Sequence, residues 1–134
     1  AFHKFFLDRD LLIFFFCAFR YISKKFIFGK KVIELLDLDP GVDWDVTGQV
    51  VWTGAEILSQ YFAEQIEGSD TFFAPANLRQ LSVLELGSGP GLCGLYMAQY
   101  CRKTVLSDCD EIVLDLLKKN AKINEHGETT LLIS

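Results

Sequence analysis

The sequence predicts an α/β domain built on a parallel, doubly wound sheet that is entered through a short β-hairpin. Two observations carry this. An apolar run at residues 81–86 breaks into glycines at 87, 89 and 91 (VLELGSGPG) and is followed by an apolar helical pattern. Strand and helix patterns then alternate to the end of the chain, as they do where parallel strands are joined by helical crossovers. With 134 residues, half of them apolar, the chain suits one domain with a packed core.

Nine of the twelve phenylalanines fall within residues 1–28, so residues 1–25 read as a Phe-rich head distinct from the domain at 26–134; no role is assigned to it. Residues 11–19 (LLIFFFCAF) are apolar throughout, yet Arg9, Asp10 and Arg20 bound them, well short of the ~20 residues a spanning helix needs. Asp8 and Asp10 also differ from the basic leader of a signal peptide, so this stretch reads as a packing surface and no membrane span is expected.

Phe26, Ile27 and Phe28, then Gly29-Lys30, then residues 31–36 read as the hairpin, with Gly29 at the first position of a type II′ turn. Residues 37–45, with Pro40 and Gly41, read as an acidic loop. Thr53-Gly54-Ala55-Glu56 has the form of a capping box, Thr53 as the cap and Glu56 reaching back. Ala55, Leu58, Phe62 and Ile66 follow at helical spacing as its buried face, with Ser59, Gln60 and Glu64 towards solvent and Gly68 as the stop. Residues 67–80 then connect to the apolar run at 81–86, which reads as a buried strand.

Beyond the glycines, Pro90 suits the first position of a helix that runs through Leu92, Leu95 and Tyr96 towards Cys101. Residues 104–107 read as a second strand. Asp110 caps and Glu111 opens the next helix, whose inner face is Ile112, Val113, Leu116, Leu117 and Ala121. Lys118 and Lys119 sit at its favoured dipole end. Residues 129–133 begin a third strand.

A net charge of −5 leaves no electrostatic footprint for nucleic acid. Cys17, Cys93, Cys101 and Cys109 show no C-x-x-C spacing and only two histidines accompany them, so no metal site is expected. They read as buried free thiols of a reducing compartment, which places the protein in the cytoplasm.

The glycine loop limits the ligand. No Lys-Ser or Lys-Thr follows, so a triphosphate loop is excluded. The dinucleotide pattern G-x-G-x-x-G is met by Gly89, Gly91 and Gly94, but that register begins two residues after the strand ends. The alternative is Glu85-x-Gly87-x-Gly89-x-Gly91, in which Gly87 and Gly89 let backbone pass under a ligand where a β-carbon would collide. Asp108, at the end of the second strand and about twenty residues on, is placed to accept from ribose hydroxyls, the alternative being a cap for the helix that follows. Glu85 either touches the ligand or braces nearby amides.

This acidic, alternating-glycine motif resembles motif I of the Rossmann-like, seven-strand S-adenosylmethionine methyltransferases. Together with TGQVVWTGA (47–55) and VLSDCDEIVLDLLKKN (105–120), it is similar to the family-16 non-histone protein-lysine methyltransferases. The TVLSDCDEIVL stretch is especially similar to members acting on translation elongation factor 2. The resemblance implies S-adenosyl-L-methionine as cofactor, held by Trp52, Gly87, Ser88 (through its backbone), Gly89 and Asp108, and a protein substrate bearing the target lysine. It names no catalytic base. Acceptors in RNA or small molecules, and a truncated fragment without activity, are the alternatives. Seven strands need on the order of 150–200 residues from the glycine-loop strand onward; 54 follow from Leu81, so the carboxyl-terminal half of such a domain is expected to be missing.

Overall fold

The computed structural model of the chain describes residues 2–8, 11–16, 20–39, 47–68, 72–124 and 130–133. The described residues form a mixed α/β structure with three small sheets. Strands β1 (Phe2–Asp8) and β2 (Leu11–Phe16) pair antiparallel within the head. Strands β3 (Tyr21–Phe28) and β4 (Lys31–Leu38) form the hairpin. Strands β5 (Ser82–Leu86), β6 (Lys103–Ser107) and β7 (Thr130–Ile133) lie parallel in that order. The helices are α1 (Thr53–Glu67), α2 (Pro75–Leu78), α3 (Leu92–Ala98) and α4 (Glu111–Ile123). Pro40, Gly41, Trp44 and Cys17 lie outside the described residues.

The hairpin turns at Gly29-Lys30, with Gly29 at φ 56, as its sequence requires. It is longer than the sequence suggested. Tyr21 to Lys25 are exposed and carry no alternation, but their backbone pairs with β4, which runs on to Leu38. Asp37 therefore belongs to β4 and not to an acidic loop; it is buried, with Lys24 Nζ against its carboxylate at 2.5 Å.

Three expectations for α1 and β5 are corrected. Thr53 does not cap α1. Trp52 occupies the cap position with extended backbone, no side chain caps the helix, and Trp52 carbonyl accepts from Ala55 and Glu56 N–H. The buried face of α1 is rotated: Ser59, Ala63 and Ile66 are buried and Leu58 is exposed. Small residues win this face because α1 packs closely on α3, and Ser59 Oγ lies 3.4 Å from Cys93 Sγ. Finally, β5 is an edge strand among the described residues, and Leu84 and Leu86, on its face opposite Glu85, are exposed. Beside it runs an apolar groove of about 580 Å³, lined by Leu58, Phe62, Phe72, Phe73 and Met97 among others.

The core lies around α3, which packs against β4, β5, β6 and α1. Leu92, Leu95 and Tyr96 of α3 meet Ile33 and Leu35 of β4, Leu106 of β6 and Leu117 of α4. Each fully buried leucine or isoleucine here contributes about 1.5–3 kcal/mol of transfer free energy. That core fixes the carboxyl ends of β5 and β6, where the glycine loop begins. Among the described residues, no helix is long and apolar enough to cross a membrane.

Candidate functional site

Parallel pairing of β5 with β6 brings Leu86 beside Ser107, so the residues after each strand emerge together. Two serines extend that pairing into the loop. Ser88 N–H donates to Ser107 carbonyl at 2.9 Å, and Ser107 N–H donates to Ser88 Oγ at 3.1 Å. Both hydroxyls donate to Glu85 carbonyl. Ser88 is buried, and its carbonyl accepts from Gly91 N–H at 2.9 Å.

That last bond closes a turn with Gly89 (φ 53) and Pro90 at its centre. The fixed negative φ of proline excludes type I′. Pro90 therefore sits in the turn, not at the first position of α3 as expected; Gly91, at φ 93, holds the cap position and α3 starts at Leu92. A β-carbon on Gly91 would strike Leu117, so the left-handed backbone and the packing both require glycine there.

Asp108 follows β6 and reaches back across the loop. Its Oδ2 accepts from Gly89 N–H at 3.0 Å, and its Oδ1 from Cys109 N–H at 2.8 Å and Asp110 N–H at 3.4 Å. Asp110, by contrast, caps α4, accepting from Ile112 and Val113 N–H, as its position predicts. Glu85 braces an amide: its Oε2 accepts from Gly94 N–H in the first turn of α3 at 3.0 Å. Burial pushes its carboxyl above the ordinary value, opposed by the Gly94 and Ser88 hydrogen bonds.

The turn at residues 47–50 lies over this loop. Gly48 packs on Val113 so closely that a β-carbon would come within 2.7 Å of Val113 Cγ2, and Gly48 carbonyl lies 3.4 Å from where a β-carbon on Gly89 would stand. Trp52 indole N–H donates to Thr47 carbonyl at 2.7 Å, while 60% of the residue stays exposed, so it is no core aromatic. Gly87, Ser88, Gly89 and Asp108 are thus brought into direct contact or sequence adjacency, and Trp52 is tied to them through the turn. The profile of a lysine methyltransferase family matches residues 39–132. The chain belongs to this lysine methyltransferase family.

Among curated relatives, human "Protein-lysine N-methyltransferase EEF2KMT" is 35% identical over 85 residues, covering 62% of this chain and 23% of that protein. Saccharomyces cerevisiae "Protein-lysine N-methyltransferase EFM2" is 31% identical over 102 residues, covering 67% and 24%. Human "Putative protein N-methyltransferase FAM86B1" is 36% identical over 80 residues, covering 58% and 22%. The chain therefore spans less than a quarter of the length of each of these methyltransferases.

The methyltransferase match takes in every site residue above and leaves the whole β3–β4 hairpin outside it. Cys93 and Cys101 are buried, and burial pushes both thiols up, so neither is poised as a thiolate. Cys109 is exposed, contrary to expectation. No group of three or more His, Cys, Asp or Glu able to hold a metal occurs among the described residues. Sequence reasoning missed Ser107 and Asn120. The second had a signal: a polar residue at 120 continues the stripe of Val113, Leu116 and Leu117, and Asn120 is fully buried.

Proposed function

We infer that this chain supplies the S-adenosyl-L-methionine-binding part of a protein-lysine methyltransferase that acts in the cytoplasm on a non-histone protein. Residues 26–134 are the amino-terminal part of its domain, and β5, β6 and β7 the first strands of a Rossmann-like, doubly wound sheet. Among the described strands β5 has a partner on one side only, and its open edge supports a sheet that continues on the other.

The single observation that carries the reading is the convergence of the glycine loop, the Asp108 carboxylate and the turn before Trp52 within the family-matched stretch. The cradle fits the cofactor. A β-carbon at Gly87 would enter open space, so backbone there presents a bare surface at φ 63. Asp108 is only half-buried and faces the loop with acceptor oxygens suited to a ribose diol. The exposed Trp52 ring offers an apolar face held in place by Thr47. Ser88 supports the loop through its backbone, both polar groups of which bond to neighbours.

When bound, S-adenosylmethionine supplies an electrophilic methyl group on a sulfonium for in-line displacement by an amine. The chain's own residues bind and orient: Gly87 and Gly89 admit the ligand, Asp108 holds the ribose, and Trp52 covers one side. Such a reaction depends on held geometry and exclusion of water, so no side chain here is assigned as base. The charge of −5 disfavours RNA as the acceptor.

Calorimetric titration of the 134-residue chain with S-adenosylhomocysteine tests this. Micromolar binding is expected, weakened about tenfold by Asp108→Ala, the loss of one hydrogen bond to a charged group. A folded chain that does not bind overturns the reading.

A further inference from the structure

We propose that Asn120 is a positioning residue for the cofactor loop, coupling the docking of the β3–β4 hairpin to the order of residues 89–91. This rests on the S-adenosylmethionine reading above. Asn120 is fully buried in α4, and its side-chain amide makes three hydrogen bonds to two distant segments. Oδ1 accepts from Leu36 N–H at 2.7 Å, and Nδ2 donates to Leu36 carbonyl at 2.9 Å. The amide thus pairs with β4 as a neighbouring strand would. The second Nδ2 proton goes to Pro90 carbonyl at 2.9 Å.

Pro90 carbonyl and Gly91 N–H belong to one peptide plane. Asn120 holds one side of that plane, and Ser88 carbonyl holds the other through Gly91 N–H. Rotation of the plane would break both bonds, so the turn carrying Gly89 is fixed from its far end by Asn120 and from its near end by Asp108. No other residue type satisfies all three partners. Aspartate lacks the donors, leucine lacks both donors and acceptor, and glutamine is longer by a methylene in a fully packed place.

Asn124, one turn along α4, provides an internal control. It grips Glu34 of the hairpin in the same way, accepting from its N–H at 3.1 Å and donating to its carbonyl at 2.6 Å, but its second Nδ2 proton goes to the Asn120 backbone carbonyl within α4 at 2.7 Å and not to the loop. The two asparagines dock the same hairpin, and only Asn120 also holds the loop. Hairpin docking alone would make their loss equivalent; a positioning role makes it unequal. A loop less often in its binding-competent form lowers apparent affinity by that fraction.

The test measures S-adenosylhomocysteine affinity by calorimetry, and amide exchange at Gly91, in the intact chain and in Asn120→Ala and Asn124→Ala. Asn120→Ala should weaken binding about tenfold, the effect of leaving one buried carbonyl unpaired, and should speed Gly91 exchange. Asn124→Ala should change affinity by less than about twofold. Equal affinities for the two variants overturn the proposal while leaving the cofactor reading intact. An intact chain that does not bind overturns that reading, and the positioning role with it. Should Asn120→Ala not fold, the intact chain decides by nuclear magnetic resonance. Its Asn120 side-chain amide signals should shift on titration more than those of Asn124; unmoved signals overturn the proposal.

Discussion

Gly94→Ala sets helix propensity against packing at the base of the loop. Gly94 lies in the first turn of α3, where alanine is favoured over glycine by about 1 kcal/mol. Its surroundings oppose the change. A β-carbon would run into Leu106, which is fully buried and has little room to swing, and would come within 2.5 Å of Glu85 Oε2. Overpacking of this kind costs about 1–3 kcal/mol. Displacing the Glu85 carboxylate also weakens its bond to Gly94 N–H, a charge-assisted contact of about 1.5–3 kcal/mol when intact. Packing wins, and a net loss of about 2 kcal/mol follows, or a fall in Tm of about 8 °C for a chain of this size. Thermal and urea unfolding followed by far-ultraviolet circular dichroism give the value. Gly54→Ala in α1 is the matched control: no atom lies within 4 Å of its β-carbon, so only propensity acts and stability rises by about 0.5 kcal/mol. A Gly94→Ala chain as stable as the parent would refute the close approach of α3 to β6.

Two further outcomes are expected. Because burial raises the Glu85 carboxyl above its ordinary 4.5, the folded chain holds that proton to higher pH than the unfolded chain, and this group's contribution to stability is lost as pH rises from about that value. Glu85→Gln keeps an acceptor for Gly94 N–H and removes the loss, so urea unfolding across pH should show it less pH-dependent and relatively more stable at neutrality; a parallel profile would refute the cause. Asp110→Ala removes the cap bonds to Ile112 and Val113 N–H and should lower stability by about 1 kcal/mol. It should leave S-adenosylhomocysteine affinity within about twofold, and a loss matching Asp108→Ala would show that the two aspartates do not divide the roles.

Elements set by local pattern were legible in the sequence: the Gly29 turn, the strand at Lys103–Ser107, and α4 with its Asp110 cap. The family was legible because its three motifs stand in order. Features decided by distant partners were not. Ser59 is buried since Cys93 and α3 lie against it, and nothing within α1 marks that face over the one carrying Leu58. Leu84 and Leu86 read as core from their apolar run, yet both are exposed on the face of β5 opposite the one on which Glu85 meets α3, and what covers a face is invisible to periodicity. Gly94 serves close helix–strand packing, the role of the third glycine in a dinucleotide loop, so its presence did not by itself separate that reading from the alternating-glycine one.

On the proposed cofactor reading, Asp108 has a second demand on it that bounds its contribution to binding. A carboxylate offers about four lone-pair sites, and three backbone N–H groups already point at this one, from Gly89, Cys109 and Asp110. The Gly89 bond holds the loop in shape before any ligand arrives, so Asp108 is spent partly on preorganisation. A ribose diol needs two acceptor sites. One is free, and the second is most cheaply taken from Asp110 N–H, whose 3.4 Å bond is the longest of the three. Exchange there costs little, because Asp110 N–H lies at the exposed start of α4 where water can replace the lost partner. The gain from the diol is then one good hydrogen bond and one exchanged for another, which is why removal of Asp108 is expected to cost about tenfold in affinity and not a thousandfold.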